Sequence, residues 1–391
     1  MTTAPKASRI EVVDALRGFA VMAIMLLHNI EHFDLYYFPE SLPAWIKATD
    51  GYIWTSLFFL FSGKTYTIFA LLFGFSFFIM DNNQRLKGYD FRGRFLWRMF
   101  ILLGFGLVNS LLFEGDILTY YAVLGCTLVL VNRLPNKALL MIAALLLLQP
   151  VEWVKMVDYW LNPAKLPMPN LSDQYFGNLF GYMSGNSIWE LIKGNFTNGR
   201  LGVFFWSWEN GRLFQTPALF MIGMLMGRLS YFIPSPQANR FWKQMLFVAT
   251  GSAIVLFVVK TFLPDIIQNP GMKSSMGLIV SSIYNLAFTF VIVSAFVLAY
   301  QTQVINRLFK PLSVFGKMSL TNYLVQSVMG ALIYYGFALG MYQYTGATFS
   351  LLIGIALFVL QLYFCKWWLS HHQQGPLEYI WHRATWVGRQ S

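Results

Sequence analysis

The strongest constraint on this chain is a recurring one: apolar stretches of about 20 residues, each long enough for a helix to cross the hydrocarbon of a bilayer. The approximate spans are 12–32, 56–80, 95–113, 117–132, 137–153, 213–233, 244–263, 277–300, 318–339 and 348–369, with Gly, Pro, Asn and Asp punctuating most of the intervals. The fourth is short, and 56–80 has a potential break around Ser62, Gly63 and Lys64. Such a pattern predicts an all-α, polytopic membrane bundle of about ten transmembrane helices, forming a single transmembrane domain over residues 1–391. Composition agrees, because 57% of the residues are hydrophobic, only 12% are charged, and the mean hydropathy is +0.52. A water-soluble domain does not need that balance.

Charge placement then orients the bundle. The net charge is +11, and in membrane proteins a basic surplus collects in cytoplasmic loops. With a cytoplasmic N-terminus, Lys6, Arg9, the cluster Arg85, Lys87, Arg92, Arg94 and Arg98, and then Arg133, Lys137, Arg228, Arg240, Arg307, Lys310, Lys317 and Arg389 all fall inside. The short outer loops are nearly free of Lys and Arg. An even number of spans returns the C-terminus to the cytoplasm, with 370–391 as a tail, and the surplus needs no nucleic-acid partner. Cys126 and Cys365 lie in separate apolar stretches without a CxxC or His-spaced partner, which predicts buried thiols rather than zinc or redox chemistry. Asp14 and Arg17 interrupt the first run and no small-residue cleavage site follows it, so it reads as a retained helix.

The segment 154–212, between the fifth and sixth spans, is the only large extramembrane piece and faces outward. A structureless loop of that length is unusual, so short interfacial helices are expected, for example SIWELIKGNF from Ser187. Its Trp160, Trp189, Trp206 and Trp208 suit either an interfacial belt or a platform for a sugar or lipid.

The first run, DALRGFAVMAIMLLHN from Asp14, raises the functional question, since each ionisable group at a helix centre costs on the order of 3 kcal/mol. Arg17 and His28 are eleven residues apart, which puts them on one helix face about 16 Å apart along the axis. Asp14 can neutralise Arg17, and Glu31 and His32 follow His28 at neighbouring positions. A polar stripe therefore runs along this helix and should face a protein interior or a wet cavity. Arg17 suits a phosphate or carboxylate arriving from the cytoplasm, and His28 can accept a proton near neutral pH. The plainer alternatives are an Asp14–Arg17 clamp that anchors the helix and an interhelical hydrogen bond for His28.

Six blocks occur in order along the chain: RIEVVDALRGFAVMAIMLLHN from Arg9, KTYTIFALLFGFSFFIM from Lys64, GDILTYYAVLG from Gly115, FMIGMLMGR from Phe220, GKMSLTNYLVQS from Gly316 and GPLEYIWHRATW from Gly375. Together they resemble the YeiB-like bacterial inner-membrane family over nearly the whole chain, although the Trp-Arg pair of the family's last block reads Trp381-His382 here. More distantly the chain is similar to the integral-membrane acyltransferase superfamily, which includes polysaccharide O-acetyltransferases and heparan glucosaminide N-acetyltransferases. That likeness implies an acyl-CoA donor, acetyl-CoA above all, taken from the cytoplasm as co-substrate. It implies functional roles for Arg17 and His28, and it places the protein in a bacterial cytoplasmic membrane.

Other positions in these blocks have their own physical readings. Asp116, beside Glu114, can cap a helix or orient His28. Lys64 can pair with Asp116, bind an anion or simply snorkel. Asn322, Tyr323, Gln326 and Ser327 suit helix glue or a cavity wall equally. Glu378 and His382, near His371 and His372, read as solvated or interface contacts rather than a metal site. No G-x-S-x-G, HExxH or P-loop pattern supports a hydrolase, zinc protease or ATPase.

The expected function is acyl transfer to a hydroxyl or amine of a glycan or lipid acceptor at the outer side. His28 would be the general base, Asp116 or Glu31 its orienting carboxylate, and Arg17 with Asp14 the donor contact. Lys64, His32, Asn322, Tyr323 and Gln326 would line the cavity or touch substrate. The rival is a transporter or lipid-handling protein without bond chemistry, in which the same stripe lines a path. Association as a homo-oligomer stays open.

Overall fold

The computed structural model describes residues 10–387. Lys6, Arg9 and Arg389, three of the charges that orient the chain, lie outside the described residues. Every regular element among the described residues is helical. Helix α1 (Glu11–Glu31) begins with Glu11 and Asp14 in its first turn, where carboxylates complement the positive end of the helix dipole. Helices α2 (Ala44–Phe61) and α3 (Thr65–Arg85) follow, and Gly63 separates them with φ 75°, a region glycine enters without steric cost. The expected span 56–80 is thus two helices. Its composition is continuous, but the backbone turns at Gly63.

Next come α4 (Arg92–Asn109), α5 (Leu118–Gly125), α6 (Thr127–Val131), α7 (Asn136–Leu147) and α8 (Pro150–Leu161). Between α7 and α8 the chain bends by 43° at Gln149, so the expected span 137–153 ends in a bend and α8 absorbs the first residues of 154–212. The rest of that segment folds as α9 (Leu171–Phe176), α10 (Leu179–Met183), α11 (Ile188–Gly194), a π-helical turn (Asn195–Gly199) and α12 (Arg200–Glu209). Ser187 caps α11, its hydroxyl accepting the Glu190 N–H at 3.3 Å.

The remainder is α13 (Arg212–Arg228), α14 (Pro236–Ile266), α15 (Pro270–Tyr300), α16 (Gln303–Lys317), α17 (Ser319–Tyr334), α18 (Ala347–His371) and α19 (Pro376–Thr385). The starts of α14 and α15 are written locally. Pro236 and Pro270 preset the first helical φ, and Ser235 and Asn269 accept the Ala238 and Met272 N–H groups, both at 3.0 Å.

Among the described residues, five stretches are long and apolar enough to cross a membrane: α1, α2 with α3, α14, α15 and α18, with the bent α7–α8 pair as a sixth. Helix length and composition alone therefore qualify five or six stretches rather than ten. The expected spans 95–113, 117–132, 213–233 and 318–339 fall on α4, α5–α6, α13 and α17, which carry charge or are too short.

Helix α1 is the hub, packing against α2, α3, α15, α16, α17 and α18. Its crossing with α16 is close because neither helix has a side chain at the contact. A Cβ on Gly18 would overlap the Leu312 carbonyl oxygen, and a Cβ on Gly316 would overlap that of Asp14. The α3–α13 crossing repeats the device with Gly74 against Phe220 and Gly223 against Leu71. Small residues at helix contacts let backbones approach without help from water. Gly18→Val or Gly316→Val should therefore lower stability by about 1–3 kcal/mol or more through overpacking. Thermal unfolding of detergent-purified protein checks this, with Gly251→Val, at a position open on all sides, as the variant expected to unfold like the parent.

Candidate functional site

The two ends of α1 enter different surroundings. At the Arg17 end the helices enclose a cavity of about 1200 Å³. Its wall is largely aromatic and aliphatic, including Phe69, Phe73, Phe95 and Met99, and its polar groups include Arg17, Ser76, Arg98, Glu378 and His382. The deep end reaches Tyr121 and Tyr323. Because the cavity joins a wide apolar surface to fixed guanidinium groups, it is chemically suited to an amphipathic anion.

Arg17 is held in place from two directions. Its Nη1 donates to Asp14 Oδ1 at 2.9 Å and its Nη2 to the Ser76 hydroxyl at 3.0 Å, while the side chain stays 21% exposed. The clamp and the cavity position coexist, so Arg17 is both anchored and available to a ligand. Asp14 Oδ2 is buried with no hydrogen-bond partner among the described residues.

Arg98 is a site residue that the sequence reading did not single out, since it entered only as one of the inner-side charges. It lies inside α4, its guanidinium carbon 3.5 Å from the centre of the Trp381 ring and its Nη1 3.3 Å from the Thr385 hydroxyl. Trp381 Nε1 donates to the Arg98 carbonyl oxygen at 3.1 Å. Arg98 lines the cavity, and its Nε is buried without a hydrogen-bond partner among the described residues, which leaves the guanidinium spare donor capacity. The signal was present in RGRFLWRMF, where only Arg98 is followed by an uninterrupted apolar run. Nearby, burial and then the Arg98 charge hold the His382 imidazole below its ordinary value of 6.5. It is therefore neutral at pH 7.

Glu378 is a cap supplied in trans. Its Oε1 accepts the Leu320 and Thr321 N–H groups at 2.7 and 3.1 Å, and its Oε2 the Thr321 hydroxyl at 2.6 Å. Those are first-turn amides of α17, so α19 completes that helix and at the same time walls the cavity. The metal reading set aside from sequence has this contact in its place.

The rest of the sequence-derived residues divide by position. Tyr323 lies on the cavity wall, where its hydroxyl accepts the Ile117 N–H at 3.1 Å. Asn322 faces away from it, donating to the Phe315 carbonyl oxygen at 3.0 Å and meeting Cys365 Sγ at 3.3 Å, which is helix glue. His28 is not part of the cavity wall. Its Nδ1 lies 3.4 Å from Gln326 Nε2, and its ring packs 4.7 Å from Phe113 and 6.3 Å from Tyr323. Tyr323 thus stands between the cavity and His28.

Neither carboxylate expected to orient His28 bonds to it. Asp116 accepts from Asn109 Nδ2 at 2.9 Å and from the Thr119 N–H and hydroxyl at 2.8 and 2.7 Å, capping the first turn of α5. Glu31 instead approaches His32, as does Glu114. Lys64 pairs with neither Asp116 nor another acid among the described residues. It donates to the Phe59 carbonyl oxygen at 2.8 Å and sits 5.3–5.7 Å from the Phe59, Tyr284 and Phe288 ring centres, contacts that stabilise a desolvated ammonium by about 2 kcal/mol.

The trans cap gives a direct expectation. Glu378→Ala should destabilise the protein by about 1–2 kcal/mol, the usual worth of a lost cap, and Glu378→Gln by less. Comparing their thermal midpoints with that of wild type checks it; equal midpoints would contradict the capping role.

Residues 226–388 match the family model described as "Protein of unknown function (DUF418)". The chain is 26% identical to the uncharacterized protein YxaH of Bacillus subtilis (strain 168), over 98% of this chain and 95% of that protein. It is 25% identical to an uncharacterized 39.9 kDa protein of Bacillus acidopullulyticus, over 96% and 94%. It is also 27% identical to the uncharacterized protein YeiB of Escherichia coli (strain K12), over 95% of each. No solved structure matches the chain. The family match covers α14–α19, and the similarity to YxaH and YeiB runs nearly end to end, so the chain is similar to the YeiB-like proteins over almost its whole length.

Proposed function

We propose that the protein is an acyltransferase of the bacterial cytoplasmic membrane, with ten transmembrane helices and both termini inside. In this reading it moves an acyl group, acetyl in the first instance, from cytoplasmic acyl-CoA to a hydroxyl or amine of a glycan or lipid reached from outside. The observation that carries the reading is the cavity at the Arg17 end. It offers two guanidiniums, Arg17 and Arg98, together with an apolar wall that reaches the buried Tyr121 and Tyr323. A donor with phosphates at one end and a thioester-linked chain at the other has that same division of chemistry.

In this reading Arg17 and Arg98 hold the donor's phosphates, Ser76 and Asp14 fix Arg17, and neutral His382 adds no competing charge at the mouth. His28 remains the proton acceptor, on the far side of Tyr323. Asp116 does not orient His28, since its oxygens are occupied by Asn109 and Thr119.

A lipid-handling protein without bond chemistry is the second reading. It is favoured by the Tyr323 hydroxyl, which is tied to Ile117 across the way from the cavity to His28. Incubating purified protein with radiolabelled acetyl-CoA and following thiol release and label transfer separates the two. Acyl transfer predicts that Arg17→Ala weakens donor binding about tenfold or more, as expected for charge-assisted phosphate contacts. It predicts that His28→Ala lowers turnover by about 10²–10⁴. Absence of CoA binding, together with lipid or solute movement in liposomes, would discard the enzyme.

A further inference from the structure

The other half of α1 holds a second constellation that the cavity does not explain. His28 and His32 are one turn apart, with ring centres 5.1 Å from each other. His32 lies between two acids, its Nε2 3.6 Å from Glu31 Oε2 and its Nδ1 3.7 Å from Glu114 Oε1. His32 and Glu31 are 30% and 22% exposed, so this end of the row meets the surface. Glu114 is only 5% exposed.

The surroundings of Glu114 are polar and only partly satisfied. Neither its Oε2 nor Asn195 Oδ1, both buried, forms a hydrogen bond of good geometry, and the same holds for the hydroxyls of Tyr182 and Tyr335. A Cβ on Gly199 would lie 2.8 Å from Glu114 Cβ and 3.3 Å from both Asn195 Oδ1 and the Tyr182 hydroxyl. The glycine keeps that cradle clear. Asn195 opens the π-helical turn, a helix form concentrated at functional positions, and Leu35 and Tyr36 beside the row both hold left-handed backbone with φ 57° and 53°.

Buried acceptors facing one another are costly, and a proton on one of them converts an acceptor into a donor. At the row's inner end His28 lies between Gln326 and Tyr323, and Tyr323 belongs to the cavity wall. Titratable groups therefore follow one another from the deep end of the cavity to the face opposite its mouth. Rows of this kind inside a membrane commonly carry protons.

We infer that His28, His32 and Glu114 form a proton route between the deep end of the cavity and the opposite face of the protein. Each histidine accepts a proton on one ring nitrogen and releases one from the other. Glu114 takes it up as a carboxylate, beside Tyr335 and Asn195, and it leaves to water past Glu31. Only N–H and O–H bonds form and break. The groups that face the row are Glu31, Tyr36, Tyr182, Tyr323 and Tyr335, with Asp116 behind Tyr323. The route does not rest on acyl transfer, because it requires the cavity only as its inner end.

The test uses the full chain in liposomes loaded with a pH-sensitive dye, with a valinomycin-set potassium potential drawing protons inward. Wild type should acidify the interior about tenfold faster than protein-free vesicles, Glu114→Gln and His32→Asn should fall to near the protein-free rate, and Glu114→Asp should recover part of it. Thermal midpoints and size-exclusion profiles of the same preparations should match those of wild type, which shows that the variants are folded whether or not the cavity binds acetyl-CoA. A wild-type rate no higher than that of empty vesicles would overturn the inference. So would full rates in Glu114→Gln and His32→Asn.

Discussion

Everything in this structure hangs on the bare contact between α1 and α16. Gly18 and Gly316 remove the side chains that would hold the two backbones apart, so α1 can sit in the middle of six partners. In that position its ionisable residues cannot snorkel to lipid headgroups, and each must find its partner within the protein. Arg17 finds Asp14 and Ser76, and His32 finds two acids.

A consequence is that α1 serves two environments at once. Near its start it contributes a cation to a large, mostly apolar chamber; near its end it contributes imidazoles to a tight cluster of acids and tyrosines. The layer between them is aromatic, made by Tyr121, Tyr323 and Phe113. The stripe expected on one helix face is real, but it is interrupted rather than continuous. The 154–212 region takes part in the second environment through Tyr182 and Asn195 and in this way closes over residues that are distant in sequence.

Local chemistry was legible from the sequence wherever it decides the outcome. Helix α1 is declared by an apolar run with acids at its front, whereas the starts of α14 and α15, written in Ser235-Pro236 and Asn269-Pro270, lie several residues before the expected spans 244–263 and 277–300 because a hydropathy pattern does not register caps. The break at Gly63 was readable as a possibility, because glycine marks where a turn is cheap but not whether it is used. What stayed hidden depends on partners far away along the chain. The run of α16, with Arg307, Lys310 and Lys317 among its apolar residues, resembles a loop until its apolar face is set against α1. Arg98 is indistinguishable from its neighbours Arg92 and Arg94 until Trp381 stacks on it. Glu378 meets Thr321 across more than fifty residues, a distance at which no spacing rule operates.

That last contact bears on how the protein is made. The first amides of α17 are satisfied by a carboxylate that leaves the ribosome only after α18 has been synthesised. While the chain is still tethered, α17 has a ragged first turn and the chamber lacks one side. Closure of the chamber is therefore a late event in biogenesis, one that waits for α19 rather than for the insertion of α17 itself.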